Sequence, residues 1–254
     1  MRNIFKPLIA RTLYGAYRLL DPFFSFREIS ILTYHSISDA KIDIVVRPAV
    51  FEKHLSEFKK KGYAFVSLAE IVEWLKNGGP LPHRAIALTF DDGYVDFETN
   101  ALPILERLKA PATMFVMSDA EASRPRLGNE LPLLSSETIE RLSAHPLVEF
   151  GFHGKTHANV AKLSVEALKE EMERPTYARF FAYPGGSYSH EAMHVAQELG
   201  YEAACAIKPG LVSKTSDPFL LQRNVVVRGM TSFDVLFRAT KAMDWYDRAA
   251  RWFK

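Results

Sequence analysis

Four residues at two places in the chain have the types and spacing of a hydrolytic site: the adjacent carboxylates Asp91 and Asp92, and the histidines His153 and His157. The carboxylates close the short apolar run Ala85–Phe90 and are followed by Gly93, the signature of a buried strand that ends in a turn. Neighbouring residues at a strand end project to different sides, so one carboxylate can hold a metal while the other faces a reacting group. A pair of aspartates can equally cap a following helix and bind nothing. His153 and His157 follow the run Val148–Phe152 and can turn both imidazoles to one point. With one carboxylate they make a two-histidine, one-aspartate set that leaves coordination positions open for water and substrate. Alone, such a pair serves as well at a surface or a cap.

Two further pieces carry chemistry. The stretch Phe181–Tyr188 contains Tyr183-Pro184-Gly185-Gly186, a tight turn whose bare backbone can approach a ligand and offer an N–H to a developing oxyanion. It also reads as a plain turn. His35 closes the run Ile31–Tyr34 as a hydrogen-bonded structural residue or as a proton donor. Every candidate sits at the carboxyl end of an apolar run, and in a parallel sheet or barrel those ends share one face.

Strands that could carry these residues are predicted at Ile29–Tyr34, Ala85–Phe90, Ala112–Met117, Val148–Phe152, Arg179–Tyr183, Glu202–Ile207 and Leu220–Val227. Helices are predicted at Phe51–Lys61, Leu68–Lys76, Thr99–Leu108, Ser136–Ser143, Val165–Glu173 and Glu191–Leu199. This alternation is that of an α/β fold with a mostly parallel sheet, open or closed into a barrel. Asn77–Pro80 and Ser123–Pro132 read as loops. A chain of 254 residues, 48% hydrophobic, can bury one large core. The net charge of +2 and the lack of a basic stripe with interleaved aromatics argue against nucleic acid as a partner. The single cysteine, Cys205, lies in an apolar run as a small core residue, which excludes a disulfide framework or a cysteine zinc site.

Residues 1–28 read as a basic amphipathic helix: Phe5, Leu8, Ile9, Leu13, Tyr17 and Leu20 on one side, Arg2, Lys6, Arg11 and Arg18 elsewhere, ending near Asp21-Pro22. Because Lys6, Arg11 and Arg18 interrupt it, no apolar core of a cleaved signal peptide is expected, and the cytoplasm is the expected compartment. Residues 229–254 read as a second such helix, with Phe233, Leu236, Met243, Trp245, Tyr246, Trp252 and Phe253 among Arg238, Lys241, Arg248, Arg251 and Lys254. The two either lie on an anionic membrane surface or pack on the domain and on each other.

The segments between, 29–228, resemble the polysaccharide deacetylase family, metal-dependent carbohydrate esterases with a NodB-like domain. Thr89-Phe90-Asp91-Asp92-Gly93 is similar to the first motif, His153 to His157 to the second, and Phe181–Gly186 to the third. Asn100–Leu105, Ala112–Val116 and Glu149 resemble the flanking text. The resemblance implies a distorted (β/α) barrel and a divalent metal, usually zinc, on Asp92, His153 and His157. Asp91 would be the general base that activates water, and a backbone N–H of the Tyr183–Gly186 turn would steady the oxyanion. In most of the family the acid lies near the domain's end, but no histidine follows His194. Leu32-Thr33-Tyr34-His35 matches instead the circularly permuted subgroup resembling poly-N-acetylglucosamine deacetylases, which assigns the acid to His35. Ala182 stands where the third motif often has arginine, and Gly185 where it often has an aromatic residue. Arg223 either supplies a charge that orients Asp91 or is a surface strand residue. His190 and His194 are read as peripheral, and His54, His83 and His145 as surface residues without a role.

The implied function is removal of N-acetyl groups from an acetamido sugar of a glycan or lipid-linked glycan precursor, with an anionic membrane surface as a partner of the terminal helices. The alternatives are deformylation or O-acetyl removal on a sugar, and a catalytically inactive glycan-binding protein.

Overall fold

The computed structural model describes residues 7–24 and 28–252. In chain order its strands are β1 (Glu28–Tyr34), β2 (Ser36–Ile37), β3 (Val45–Val46), β4 (Ala64–Val66), β5 (Arg84–Phe90), β6 (Ala112–Val116), β7 (Val148–Phe152), β8 (Phe180–Ala182), β9 (Ala203–Ala206), β10 (Leu221–Gln222) and β11 (Asn224–Val225). Its α-helices are α1 (Pro7–Phe24), α2 (Pro48–Lys60), α3 (Leu68–Asn77), α4 (Leu102–Leu108), α5 (Ala120–Leu127), α6 (Ser136–Ser143), α7 (Val165–Glu171), α8 (His190–Glu198), α9 (Ser232–Arg238) and α10 (Lys241–Trp252).

The main sheet runs β10-β9-β8-β7-β6-β5-β1-β11, with every ladder parallel. β5 is shared on one edge: β4 pairs with its first half at Ala85–Ala87, and β6 with its second half at Leu88–Phe90. The two outermost strands, β10 and β11, are separated in the chain by Arg223 alone. One short piece of backbone therefore pairs with both ends of the sheet, and the path curls into a nearly closed barrel. The expected continuous strand Leu220–Val227 is thus broken at Arg223, where the chain turns from one edge to the other.

Alternation along the strands separates inside from outside. Ala85, Ala87, Ile29, Ile31, Ala182, Ala203, Cys205 and Leu221 share one buried cluster inside the barrel. Small side chains suit so narrow an interior. Ile86, Leu88 and Phe90 point the other way, onto Phe51, Leu55 and Phe58 of α2 and Leu105 of α4. Phe152, Phe181 and Ala204 pack likewise under Leu168 of α7 and Val195 of α8. Burial pushes the Cys205 thiol up to about 12, as befits a core residue.

Helix α3 adds Leu68, Ile71, Val72 and Trp74 to the inner cluster. Glu149, near the start of β7, accepts from the first amides of that helix, Leu68 N–H at 3.2 Å and Ala69 N–H at 3.4 Å, and from the Thr113 hydroxyl at 3.0 Å. The helix is thereby held across the amino end of the barrel, which leaves the carboxyl end as the open face.

Several expectations are corrected. Part of the predicted loop Ser123–Pro132 is α5, capped by Asp119 and tolerating Pro125 near its end. It carries almost no apolar periodicity, since only Ser123 is buried. β4 is three residues between two helices, too short to show a period. α1 continues past Asp21-Pro22 to Phe24, and the fully buried Asp21 pairs with Arg84. The expected single C-terminal helix is two, α9 and α10. Ala10 and Tyr17 of α1 pack on Ala242 and Met243 of α10, with Phe237 of α9 in the same cluster and Tyr17 edge-on to Trp245 at 6.4 Å. Leu8, Ile9, Leu19 and Leu20 remain exposed. Arg2, Phe5, Lys6, Phe253 and Lys254 lie outside the described residues.

Candidate active site

Asp91 continues the inward series of β5, after Ala85, Ala87 and Thr89, and is fully buried. Its N–H donates to the Tyr34 carbonyl at 3.0 Å, which ties the ends of β5 and β1 together. From the corner between β10 and β11, Arg223 reaches across the barrel as a fork: Nη1 to Oδ1 of Asp91 at 2.7 Å and Nη2 to Oδ2 at 2.8 Å. Nη1 also donates to the Thr89 hydroxyl at 3.3 Å, and Nε to the Ala206 carbonyl at 3.4 Å. The guanidinium lies 5.2 Å from the centre of the Phe115 ring. Both members of the pair are 0% exposed, so the surface reading of Arg223 is overturned. Burial acts to raise the Asp91 pKa, but the Arg223 charge and hydrogen bonds, with His153, outweigh it and hold the carboxyl at about 2.

Asp92 turns away from this pair because the backbone enters the left-handed region there, with φ +73° at Asp92 and +70° at Gly93. For a non-glycine residue that conformation costs about 1–2 kcal/mol. Gly93 is needed for space as well, since a Cβ there would stand 2.9 Å from Cγ1 of Val116. The turn aims Oδ1 of Asp92 at two imidazoles, 3.6 Å from Nε2 of His153 and 3.6 Å from Nε2 of His157. Oδ1 is buried and has no hydrogen-bond partner.

His153 continues β7, its N–H donating to the Val116 carbonyl at 2.8 Å. Its Nδ1–H donates to the Ala182 carbonyl at 2.7 Å, an acceptor that fixes the tautomer and leaves the Nε2 lone pair facing Asp92. His157 has φ +58°, and its ring lies 4.9 Å from that of His153. Burial, then the neighbouring His153, lowers its pKa to about 4, so it is neutral as a metal ligand must be. One ligand atom from each of Asp92, His153 and His157 lies within 4.8 Å of the others. An orphaned carboxylate oxygen facing two imidazole nitrogens at separations too long for hydrogen bonds fits a divalent ion held by three protein ligands.

His35 directly follows β1 and is half-buried, with Nδ1 lacking a hydrogen-bond partner. The register pairs Tyr34 with Phe90, so His35 and Asp91 leave adjacent strand ends at the same face. The Pro184–Gly186 turn follows β8, and Pro184 Cγ lies 3.5 Å from where a Cβ on Gly154 would be. The Tyr183 N–H donates to the Cys205 carbonyl at 3.0 Å and its hydroxyl to the Phe219 carbonyl at 3.0 Å. Its ring packs against Phe181 and Tyr188. Both of its donors are committed away from the pocket, so Tyr183 holds the turn and does not serve an oxyanion. Pro184 has no N–H, while those of Gly186 and Ser187 bond to Tyr183 and Pro184. Gly185, exposed at φ +60°, carries the N–H of the turn outside these bonds.

The structure thus brings Asp91, Asp92, His153, His157, Arg223 and His35 to one end of the barrel and puts the Gly185 turn beside them. His54 departs from its surface reading: it is 1% exposed, between the Tyr34 hydroxyl at 3.3 Å and the Met230 carbonyl at 3.2 Å. His190 and His194 lie on α8, His194 paired with Glu198 in solvent. The role of the Ala182 carbonyl was invisible in sequence, because a backbone acceptor leaves no residue signature. That of Thr89, which donates to the Leu32 carbonyl at 3.0 Å while accepting from Arg223, has only its place two residues before Asp91 as a signal.

The family model for polysaccharide deacetylase matches residues 78–204. The chain is 25% identical to YxkH of Bacillus subtilis (strain 168) over 213 residues, 80% of this chain and 73% of that protein. It is 37% identical to the poly-beta-1,6-N-acetyl-D-glucosamine N-deacetylase of Escherichia coli (strain K12) over 84 residues, 32% of this chain but 12% of that protein. In fold it is similar to the Streptococcus pyogenes deacetylase PplD, with a TM-score of 0.73 and 24% identity over 84% of this chain and 98% of that one. The matched span runs from before β5 to within β9 and so holds the aspartate pair, the histidine pair and the glycine turn together. On that match the chain belongs to the polysaccharide deacetylase family.

Proposed function

We propose that the chain is a metal-dependent hydrolase that removes N-acetyl groups from an acetamido sugar of a glycan or lipid-linked glycan precursor. The observation that carries this reading is a fully buried carboxylate, Asp91, kept ionised by Arg223 beside a second carboxylate, Asp92, whose free oxygen faces two histidines. Asp92, His153 and His157 would hold a divalent ion, zinc by the nature of the set. Such an ion supplies Lewis acidity, polarising an acyl carbonyl and making water acidic.

The chain's own residues supply the rest. Asp91 Oδ2 lies 3.9 Å from His153 Nε2, so it faces the ligand set and accepts the proton of the attacking water. At a pKa of about 2 it is a weak base that serves only a water already made acidic. The Gly185 N–H is the donor for the oxyanion. As the carbon–oxygen bond forms and the carbon–nitrogen bond breaks, His35 protonates the departing amine. A cavity of about 560 Å³ borders β3, the start of α2 and the chain after β11, with Val45, Val46, Val50 and Met230 among its lining residues. Asp91, Asp92, His153, His157, Arg223 and His35 are not among its lining residues, so it is given no part in the reaction.

The apolar residues exposed on α1 support a peripheral location on an anionic membrane, at its cytoplasmic face, where a lipid-linked sugar would be met. The test of the activity is acetate release from N-acetylated oligosaccharides and lipid-linked acetamido sugars by zinc-loaded protein. Asp91→Asn and His35→Ala should each lower kcat by roughly 10²–10⁴-fold. Release that survives Asp91→Asn unchanged would overturn the assignment. Release of formate, or of acetate only from esters, would redirect it to another acyl group. Sugar binding without turnover of any acyl group would make the chain a glycan-binding protein.

A further inference from the structure

The two histidine ligands are held in different ways. His153 is fixed through its ring, by the Nδ1–H bond to Ala182. The His157 ring has no hydrogen bond among the described residues, so its aim is set by its backbone, at φ +58°. That backbone is gripped on both sides by one carboxylate. Glu171, the last residue of α7, is 6% exposed. Its Oε1 accepts from the Thr156 N–H at 2.9 Å and the Ala158 N–H at 3.0 Å, and its Oε2 accepts from the Thr156 hydroxyl at 2.8 Å. Its carbonyl accepts from the Lys155 N–H at 2.8 Å.

Glu171 makes no ion pair among the described residues, so these loop donors are what compensates its buried charge. The arrangement requires glycine at 154 twice over. Its φ is +84°, and a Cβ there would stand 2.7 Å from Oε1 of Glu171. Loop and helix end are shaped to each other, and His157 is the residue enclosed between the two gripped amides.

We propose that Glu171 is the positioning residue that sets His157 as a metal ligand, through the backbone at Thr156 and Ala158. The proposal rests on the metal-site reading above. Ligand-orienting partners of this kind change metal affinity by about 10–100-fold when removed. Both N–H groups bond to Oε1 alone, so glutamine at 171 would keep an acceptor for them; methionine keeps the length of the side chain but removes both carboxylate oxygens, so Glu171→Met breaks the grip.

The experiment measures zinc affinity by chelator competition, and the visible spectrum of the cobalt(II)-substituted protein, for wild type, Glu171→Met, Thr156→Val and the exposed control Glu173→Met. Glu171→Met should bind zinc about 10–100-fold more weakly and show an altered cobalt spectrum, with Glu173→Met like wild type. A several-fold loss in Thr156→Val, which removes only the hydroxyl bond, gives the same reading if Glu171→Met does not fold. Wild-type affinity and spectrum in folded Glu171→Met, or in Thr156→Val where that variant alone folds, would overturn the positioning role and leave the metal site standing. A wild type that binds neither zinc nor cobalt would overturn the metal-site reading and this proposal with it.

Discussion

Asp91 and Arg223 show how much of the site depends on one ion pair. Bidentate hydrogen bonding inside the barrel keeps the carboxylate charged where burial alone would neutralise it. The sign of the pH effect follows. The folded pKa, about 2, lies below the ordinary 3.8, so the stability this group contributes is present above about pH 4 and lost as pH falls through 2. Arg223→Met should strand the buried carboxylate and lower stability by about 3–5 kcal/mol in urea unfolding at pH 7. The acid limb of the kcat/KM profile should also move upward as the Asp91 pKa rises, and an unmoved limb would show that Asp91 does not set it. Asp91, Asp92 and the two histidines were legible in sequence because their chemistry is written in residue type and spacing. Arg223 was legible only as one of two readings, orienting Asp91 or lying on the surface, because an arginine in a short strand reads as surface unless one knows that the strand straddles the sheet's two edges. Glu171 was hidden for a similar reason, in a Lys-Glu-Glu run that looks like a solvated helix face.

Elements carry these residues to tolerances that a pattern of apolar runs does not reveal. The strands that end in Tyr34, Phe90 and Phe152 were legible from their composition, whereas β4 and the break at Arg223 depend on pairing across the sheet. The glycine turn is set by contact, since a Cβ on Gly186 would meet Ile207 Cβ at 2.4 Å and its backbone N at 2.6 Å. Gly186→Ala should therefore displace the Gly185 N–H, lowering kcat by about 10²-fold, the scale of one oxyanion donor, with KM little changed. Gly185→Ala meets nothing within 4 Å, so it should carry mainly the strain of φ +60°, about 1–2 kcal/mol of stability. Helix α2 offers a separate test through His54, which burial holds neutral with a pKa of about 4. The unfolded chain takes up a proton near pH 6.5 that the folded one refuses, so stability should fall as pH drops from 6.5 toward 4. Thermal unfolding of His54→Gln, which keeps a donor and an acceptor, should show a shallower fall across that window. An identical slope would mean that other groups carry it.

At the scale of the molecule, one barrel end is covered by α3, the other holds the site, and α1 and α10 pack together at the side. The sequence left the terminal helices between packing on each other and lying on a membrane. It did so because an amphipathic pattern specifies an apolar face without saying what covers it. The structure divides α1 between two environments: Ala10 and Tyr17 face α10, while Leu8 at 79% and Leu19 at 75% exposure stand outward with Ile9 and Leu20. Leu8 and Leu19 are eleven residues apart, three turns, and so lie on one side of the helix. Arg11 is exposed on the same helix, which gives that surface a positive charge to offer anionic headgroups. Removing residues 1–21 would be a poor test, because it unpairs Arg84 from Asp21 and uncovers α10. The double substitution Leu8→Ser/Leu19→Ser leaves the packed side untouched. Each leucine buried at a bilayer surface contributes up to about 2 kcal/mol, so co-sedimentation with anionic vesicles should weaken at least tenfold in the double variant. Acetate release from a soluble oligosaccharide should stay as in wild type. Sedimentation unchanged by the substitutions would remove α1 as a membrane contact and leave its outward leucines without a role in locating the enzyme.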